Sequence, residues 1–277
     1  MNTTYNITQV IWAETKFFGI QQNQILESTD GVNWSANHTA ENTVVSIIYA
    51  KGFLVAVPQQ GSLSYSTDEG DSWESVSVFS GLNSNIIFDG EYFILSDYTY
   101  NYLAYSTNMS SWDSIYQPRS NAFVTFCYSQ GFYCALDTSG SFVYTQNFLS
   151  DWQAYDFMAY SGAFWSPLVA THGIFISAAM VLQSSPSVYF RKDKAGLAEA
   201  RMLIPAKERW TPFVANDIFF FIFGRSILMS RDGENWEIML KELIDRNRNF
   251  NCIAYGNGMY IITSTSGGYV AKSIVEA

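Results

Sequence analysis

The apolar positions of this chain come in short bursts rather than in long helical periods. An apolar pair, a polar turn and a second apolar run recur as Ile47-Ile48-Tyr49-Ala50-Lys51-Gly52-Phe53, as Ile86-Ile87-Phe88-Asp89-Gly90-Glu91-Tyr92 and as Phe126-Cys127-Tyr128-Ser129-Gln130-Gly131-Phe132. Residues 11–17, 168–174, 213–219 and 253–259 repeat the pattern, which makes seven occurrences. Gly, Asn and Asp at the turn centres take positive φ at low cost, as tight hairpins require. Phe219-Phe220-Phe221-Ile222-Phe223 is apolar at every position, which fits a strand covered on both faces. Each unit predicts strand, hairpin, strand, short loop, strand, polar corner and a fourth strand.

The polar corners repeat as well. A hydroxyl residue stands two places before an Asp or Asn, and a Trp follows four or five places later. The copies are Ser28, Asp30 and Trp34; Ser66, Asp68 and Trp73; Ser106, Asn108 and Trp112; Thr145, Asn147 and Trp152; and Ser230, Asp232 and Trp236. A further copy around Asp193 keeps the Asp and Gly196 but lacks the Ser and the Trp. Positions 30, 68, 108, 147, 193 and 232 are spaced by 38, 40, 39, 46 and 39 residues. Units of about 40 residues with four short strands predict a β-propeller. The expectation is one all-β domain over 1–277 with seven four-stranded antiparallel blades, six being the alternative count. The blades are placed at 9–40, 44–79, 84–118, 123–158, 163–210, 211–245 and 250–277 plus 1–8. The last unit has residues for only three strands, so residues 1–8 are expected to add its fourth and close the ring.

The corner element Ser-x-Asp-x-Gly-x-x-Trp is complete at Ser66–Trp73 and one residue shorter at Ser28 and Ser230. It resembles the Asp-box, or BNR repeat, of sialidase-like propellers. The resemblance implies that the box is a structural corner between third and fourth strands, with Asp30, Trp34, Asp68, Trp73, Asn108, Trp112, Asn147, Trp152, Asp232 and Trp236 in structural roles. The chemistry agrees, because an Asx side chain accepts backbone N–H groups across a turn and a Trp packs back on the sheet. Sialidases hold the substrate carboxylate with three arginines, the first in a Phe/Tyr-Arg-Ile-Pro motif. Here no Arg precedes Arg119 and the motif is absent, so that activity is not expected. Another hydrolase would need two carboxylates roughly 5–10 Å apart across a cleft. Asp89, Asp97, Asp137 and Asp217 stand near strand-end turns, where the plain reading is a solvated turn residue.

Composition refines this picture. A net charge of −10 and a pI near 4.6 argue against binding nucleic acid or an anionic membrane through the whole surface. No apolar run approaches the roughly 20 residues of a membrane span, and the N-terminal residues do not read as a secretory signal. Synthesis in a cytoplasm without a signal is therefore expected, with Cys127, Cys134 and Cys252 as buried thiols. His38 and His172 are far apart and in turns, so no catalytic, metal or cofactor site is expected. The 17% aromatic share reads first as blade packing. Tyr98, Tyr100 and Tyr102 read equally as a sugar-stacking tip or as an ordinary strand pair. The scarce basic charge gathers in the fifth unit: Arg191, Lys192, Lys194, Arg201, Lys207 and Arg209 give a local +3. With Arg246 and Arg248 they form the candidate partner interface. Residues 194–203 also have helix-forming composition where a strand is due.

Short Asp-box propellers with an acidic, aromatic-rich chain look like proteins of tailed bacteriophages. That resemblance implies a non-enzymatic virion protein, located in a tail, tail fibre or head decoration, that docks to other virion proteins or to a host surface glycan. The alternatives are a glycan-processing hydrolase of the sialidase-like class and a host protein–protein scaffold.

Overall fold

A computed structural model describes residues 5–81, 83–117, 121–139, 141–155, 164–165, 167–180, 188–193, 196–200, 210–223, 225–241, 249–265 and 267–271. The first sheet runs β1 (Gln9–Ala13), β2 (Lys16–Gln21), β3 (Gln24–Ser28) and β4 (Ser35–Thr39), each paired with the next. The second repeats this order with β5 (Val44–Ala50), β6 (Phe53–Pro58), β7 (Leu63–Ser66) and β8 (Glu74–Val76). The third holds β9 (Asn83–Phe88), β10 (Phe93–Asp97), β11 (Tyr102–Ser106) and β12 (Asp113–Tyr116). The fourth holds β13 (Phe123–Ser129), β14 (Phe132–Asp137), β15 (Phe142–Thr145) and β16 (Gln153–Tyr155). The fifth contains β17 (Phe164–Trp165), β18 (Val169–Thr171), β19 (Ile174–Met180), β20 (Val188–Asp193) and β21 (Gly196–Ala200). The sixth returns to four strands, β22 (Trp210–Ala215), β23 (Ile218–Phe223), β24 (Ser226–Ser230) and β25 (Glu237–Lys241). The last holds β26 (Phe250–Gly256), β27 (Met259–Ser264) and β28 (Gly267–Ala271).

The fold is an all-β propeller with four-stranded antiparallel blades. Among the described residues, five sheets have the expected four strands, the fifth has five and the last has three. The departure in the fifth sheet is a broken inner strand. β17 pairs at Ala179–Met180 and β18 at Ile174–Ile176, both on the same edge of β19. Inner strands elsewhere bend at the corresponding place without breaking, through register shifts between Val44 and Ser46, Phe123 and Thr125, and Phe250 and Cys252.

Over its described residues, 196–200, the helix-like composition of the 194–203 stretch does not decide the structure. β21 pairs with β20 from Tyr189↔Ala200 to Asp193↔Gly196, so ladder formation overrides weak local propensity in an Ala-rich segment. A second expectation, an outer strand from residues 1–8, meets a different arrangement over its described half. Tyr5–Thr8 form no strand; Ile7 is buried and its carbonyl accepts from Thr263 Oγ1 at 2.9 Å and Asn251 Nδ2 at 3.2 Å. Side chains of the last sheet hold Ile7, and a backbone bond from Thr8 N to Ile20 O at 2.9 Å holds the next residue to the first. Residues 1–4 lie outside the described residues.

The strands gather into two compact units, residues 1–115 with 248–277, and residues 116–247. In the first unit the core lies between successive sheets. Phe18, Ile20 and Ile25 meet Ile47, Leu54 and Ala56 between the first two blades, and Val55, Val57 and Leu63 meet Ile86, Phe93 and Leu95 between the next two. The Gln9 amide joins two inner strands, accepting from Ile47 N at 3.1 Å and donating to Ile47 O at 3.3 Å. The first and last sheets also meet in this unit. A side chain on Gly256 would run into Trp12, and one on Gly31 into Ile261.

In the second unit Leu136 and Phe142 meet Leu168 and Phe175, while Ile176 meets Phe219, Phe221 and Leu228. Phe219, Phe220 and Phe221 are all buried, so β23 is covered on both faces as its apolar run implies. Burying one such ring is worth about 1.5–3 kcal/mol, which accounts for the aromatic excess. Cys127 stands opposite Cys134 on paired strands, and both are buried thiols, as is Cys252.

Candidate functional site

The repeated corners can be followed atom by atom. In the first, Asp30 Oδ1 accepts from the backbone N–H of Asn33 at 2.7 Å and of Val32 at 2.8 Å, and Asn33 Nδ2 donates to Oδ2 at 2.8 Å. These bonds, the Asn33 N–H foremost, hold Asp30 down to a pKa of about 2. The sixth blade copies the arrangement with Asn235 N and Glu234 N, both at 2.8 Å, on Asp232, whose pKa falls well below the usual carboxylate range. Asp68 accepts from Ser72 through hydroxyl and backbone N–H, which hold it to about 2, the hydroxyl contributing most. Asn108 accepts from Ser110 N and Ser111 N, and Asn147 from Leu149 N.

The hydroxyl residue closes the other half of each corner. Buried Ser28, Ser66, Ser106 and Ser230 accept the N–H of Gly31, Gly70, Met109 and Gly233 at 2.8–3.0 Å. The donating residue sits at positive φ in every case. In the complete box the Ser66 bond reaches one residue further than the Ser28 bond, and Glu69 at φ 54° absorbs the extra residue. Met109 holds φ 65° where the boxes at Ser28, Ser66 and Ser230 have Gly, and its side chain is fully buried in the core between second and third blades. The indole N–H then folds back on the corner, from Trp34 to Gly31 O, Trp73 to Gly70 O, Trp112 to Met109 O and Trp152 to Phe148 O. The hydroxyl and the Asp or Asn side chain of each box thus bond within their own turn.

Two polar residues without repeat equivalents tie the second box to the first blade. Asn37 Oδ1 accepts from Trp73 Nε1 at 2.9 Å, and its Nδ2 donates to Gly70 O at 3.1 Å. His38 stacks on Trp73 with ring centroids 4.5 Å apart, and its Nε2 lies 3.0 Å from Ser64 Oγ. Burial lowers the His38 pKa. Nothing in the sequence marks this pair, because it serves one blade junction only. Next to it lies a cavity of about 470 Å³ lined by Glu14, Lys16, Tyr49, Asp68, Glu69 and Asp71. Its groups largely satisfy one another: Tyr49 donates to Glu14 at 2.6 Å, Thr15 to Glu69, and Lys16 pairs with Glu27 at 3.2 Å and Asp71 at 3.4 Å.

The four acids singled out by position have separate tasks. Asp89 accepts from Glu91 N and Tyr92 N at its hairpin. Asp97 and Asp137 are buried, not solvated, and each accepts the N–H two residues on. Asp217 alone bridges strand ends: Thr171 Oγ1 donates to it at 2.9 Å, and His172 Nε2 stands 4.0 Å away. Both the His172 and Asp217 side chains are more than half exposed, so water screens that pair. Of the candidate partner interface, Arg191 and Lys192 stand in β20, an interior strand of its sheet. Lys194, Arg201, Lys207, Arg209, Arg246 and Arg248 lie outside the described residues. Among the described residues no group of three His, Cys, Asp or Glu is placed to hold a metal ion, and no helix is long and apolar enough to cross a membrane.

No protein-family model matches the chain, and no curated protein matches its sequence. Solved structures do match in fold. YCF48 bound to D1 peptide is 12% identical with a TM-score of 0.74, covering 99% of this chain and 96% of that one. A streptogramin B lyase is 10% identical with a TM-score of 0.76, covering 97% of this chain and 94% of that one. A catalytically inactive virginiamycin B lyase from Staphylococcus aureus, solved with quinupristin, is 8% identical with a TM-score of 0.74 over 98% and 97% of the two chains. At these identities the likeness is one of propeller fold. The fold is shared by an enzyme and by a protein in a peptide complex, so function has to come from the site.

Proposed function

We propose that this chain is a non-enzymatic binding and assembly module, a structural component of a bacteriophage virion in a tail, tail fibre or head decoration. It has seven blades in one ring. It docks to other virion proteins or to a host surface glycan. The carrying observation is the use of the boxes: the hydroxyl and the Asp or Asn side chain at each described corner bond within that corner, which makes the repeat a scaffold for presenting loops. A peptide-bound structure of similar fold, YCF48, supports docking as a use of such a scaffold. The basic cluster of the fifth unit, in a chain of net −10, is the proposed contact with an acidic partner surface.

The test is fractionation of infected cells and purified phage particles, probed for this chain. Stoichiometric presence in washed particles is expected. Alanine at Arg201, Lys207 and Arg209 should reduce that incorporation. Absence from particles, or release of sugar from bacterial surface polysaccharide by the purified chain, overturns the reading. Turnover of a streptogramin, the activity named for two proteins of similar fold, would do so as well.

A further inference from the structure

The third and fourth blades use one device to turn from their second strand into their third. Asp97 ends β10 and Asp137 ends β14, each 1% exposed. Asp97 Oδ1 accepts from Thr99 N and, at 3.0 Å, from Tyr100 N; Asp137 Oδ1 accepts from Ser139 N at 2.9 Å and Ser141 N at 3.0 Å. A buried carboxylate that gathers N–H groups fixes the loop above it. In the fourth blade the loop so fixed carries Thr138, Ser139 and Ser141. The turn therefore has no need of aromatic residues.

The third blade nonetheless places Tyr98 and Tyr100 on this loop and Tyr102 at its far end, 44%, 55% and 38% exposed. Tyr98 and Tyr100 lie outside the blade core, which Ile86, Phe93, Leu95 and Met109 occupy. Gly81 lies so close over Asp97 that a Cβ there would fall 2.6 Å from Oδ2, so the carboxylate is roofed and not presented. Residues 98–112 contain no charged side chain, in a protein of net −10. Exposed tyrosines on a fixed loop offer rigid amphipathic area at low entropic cost, each ring carrying its own hydroxyl.

We infer that the Tyr98–Tyr102 loop is a stacking platform for a neutral polysaccharide, the tyrosine faces taking the C–H face of a sugar and the phenolic hydroxyls bonding to its hydroxyls. Neutrality selects the ligand: an anionic glycan would find no cation on this loop, and a basic peptide no exposed carboxylate. The inference rests on the binding-module reading and names one ligand class and its site.

The test is native electrophoresis of the full chain through gels containing dextran, laminarin or yeast mannan, with hyaluronan and a proline-rich peptide as competing probes. Retardation is expected in at least one of the three neutral gels and not in hyaluronan. Tyr98→Ala with Tyr100→Ala should weaken the affinity at least tenfold with an unchanged melting temperature. Tyr100→Ala alone should weaken it in part, and Tyr100→Phe should retain most of it. Migration unaltered by all three neutral polysaccharides overturns the platform, as does equal retardation of the double alanine variant. Binding of hyaluronan or of the proline-rich peptide that the double variant abolishes would reassign the loop and overturn it too. Virion incorporation is read separately, so a chain that enters particles but ignores neutral glycans loses the platform alone.

Discussion

In the second blade, residues 67–73 carry the chain from β7 to β8, and Ser66 and Asp68 satisfy the N–H groups that this detour leaves behind. In the fifth sheet β20 ends at Asp193 and β21 begins at Gly196, with the ladder continuing to the last pair. The first corner is largely autonomous: Asn37 and Lys16 reach it from the first blade, but the Ser66 and Asp68 bonds that shape it are local, and so is its sequence signature. The strands on either side of the second are held by pairing up to Asp193↔Gly196, and the neighbouring blade packs on β19. A corner built from side chains is legible in sequence, whereas one built from backbone pairing is not.

The comparison predicts where each region breaks. Phe221→Ala removes a buried ring that packs with Ile176 of β19 and lies 4.6 Å from Trp236. It should cost about 3–5 kcal/mol in urea unfolding. A smaller cost would mean that the fifth sheet does not lean on its neighbour. Met109→Gly restores the usual box residue at a positive φ but deletes a fully buried side chain. The lost side chain outweighs the strain released, leaving a net loss of about 2 kcal/mol. A gain in stability would show that the corner geometry, not the core, dominates there.

Ser66→Ala leaves the buried Gly70 N–H without its acceptor. It should cost about 1–2 kcal/mol, within the usual penalty for an unsatisfied donor. An unchanged unfolding midpoint would deny the box its autonomy.

Acid should distinguish the corners further. Asp30 and Asp68 titrate near 2 when folded, below the ordinary value near 3.8, so the unfolded chain binds protons first as pH falls. Their contribution is present above that ordinary value and fades as pH drops from about 4 through about 2. Asp68→Asn, which keeps an accepting oxygen as Asn108 does, should flatten this part of the stability–pH curve. The smallest effect is expected from His38, whose pKa burial lowers. The neutral ring is the folded form, so its stabilisation is complete above the unfolded pKa near 6.5 and is lost as pH falls through the lower folded value. His38→Phe should keep the stack on Trp73 and remove that dependence.

Much of the fold was readable because it repeats. Five boxes announced their corners, and the hairpin centres announced their turns, Glu14, Lys51, Gln130, His172 and Asn257 all holding positive φ. The strand β21 was not readable, because an Ala-rich stretch has no local reason to pair until β20 is beside it. Asn37, His38 and Gln9 were invisible for the opposite reason: each joins one blade to the next at a single junction. The tyrosines of the third blade stood out in sequence, but their contrast with the serines of the fourth appears only when the shared Asp97 and Asp137 turns are superimposed in thought.

The glycine contacts between the first and last sheets carry an evolutionary consequence. Trp12 occupies the space over Gly256, and Ile261 the space over Gly31, so each sheet lends one bulky group and one vacancy to the other. Neither member of a pair can drift alone. Among diverging homologues, loss of the large residue at 12 should travel with gain of a side chain at 256, and likewise for 261 and 31. Such paired substitutions would mark this seam in sequence data long after the Asp-boxes themselves had decayed.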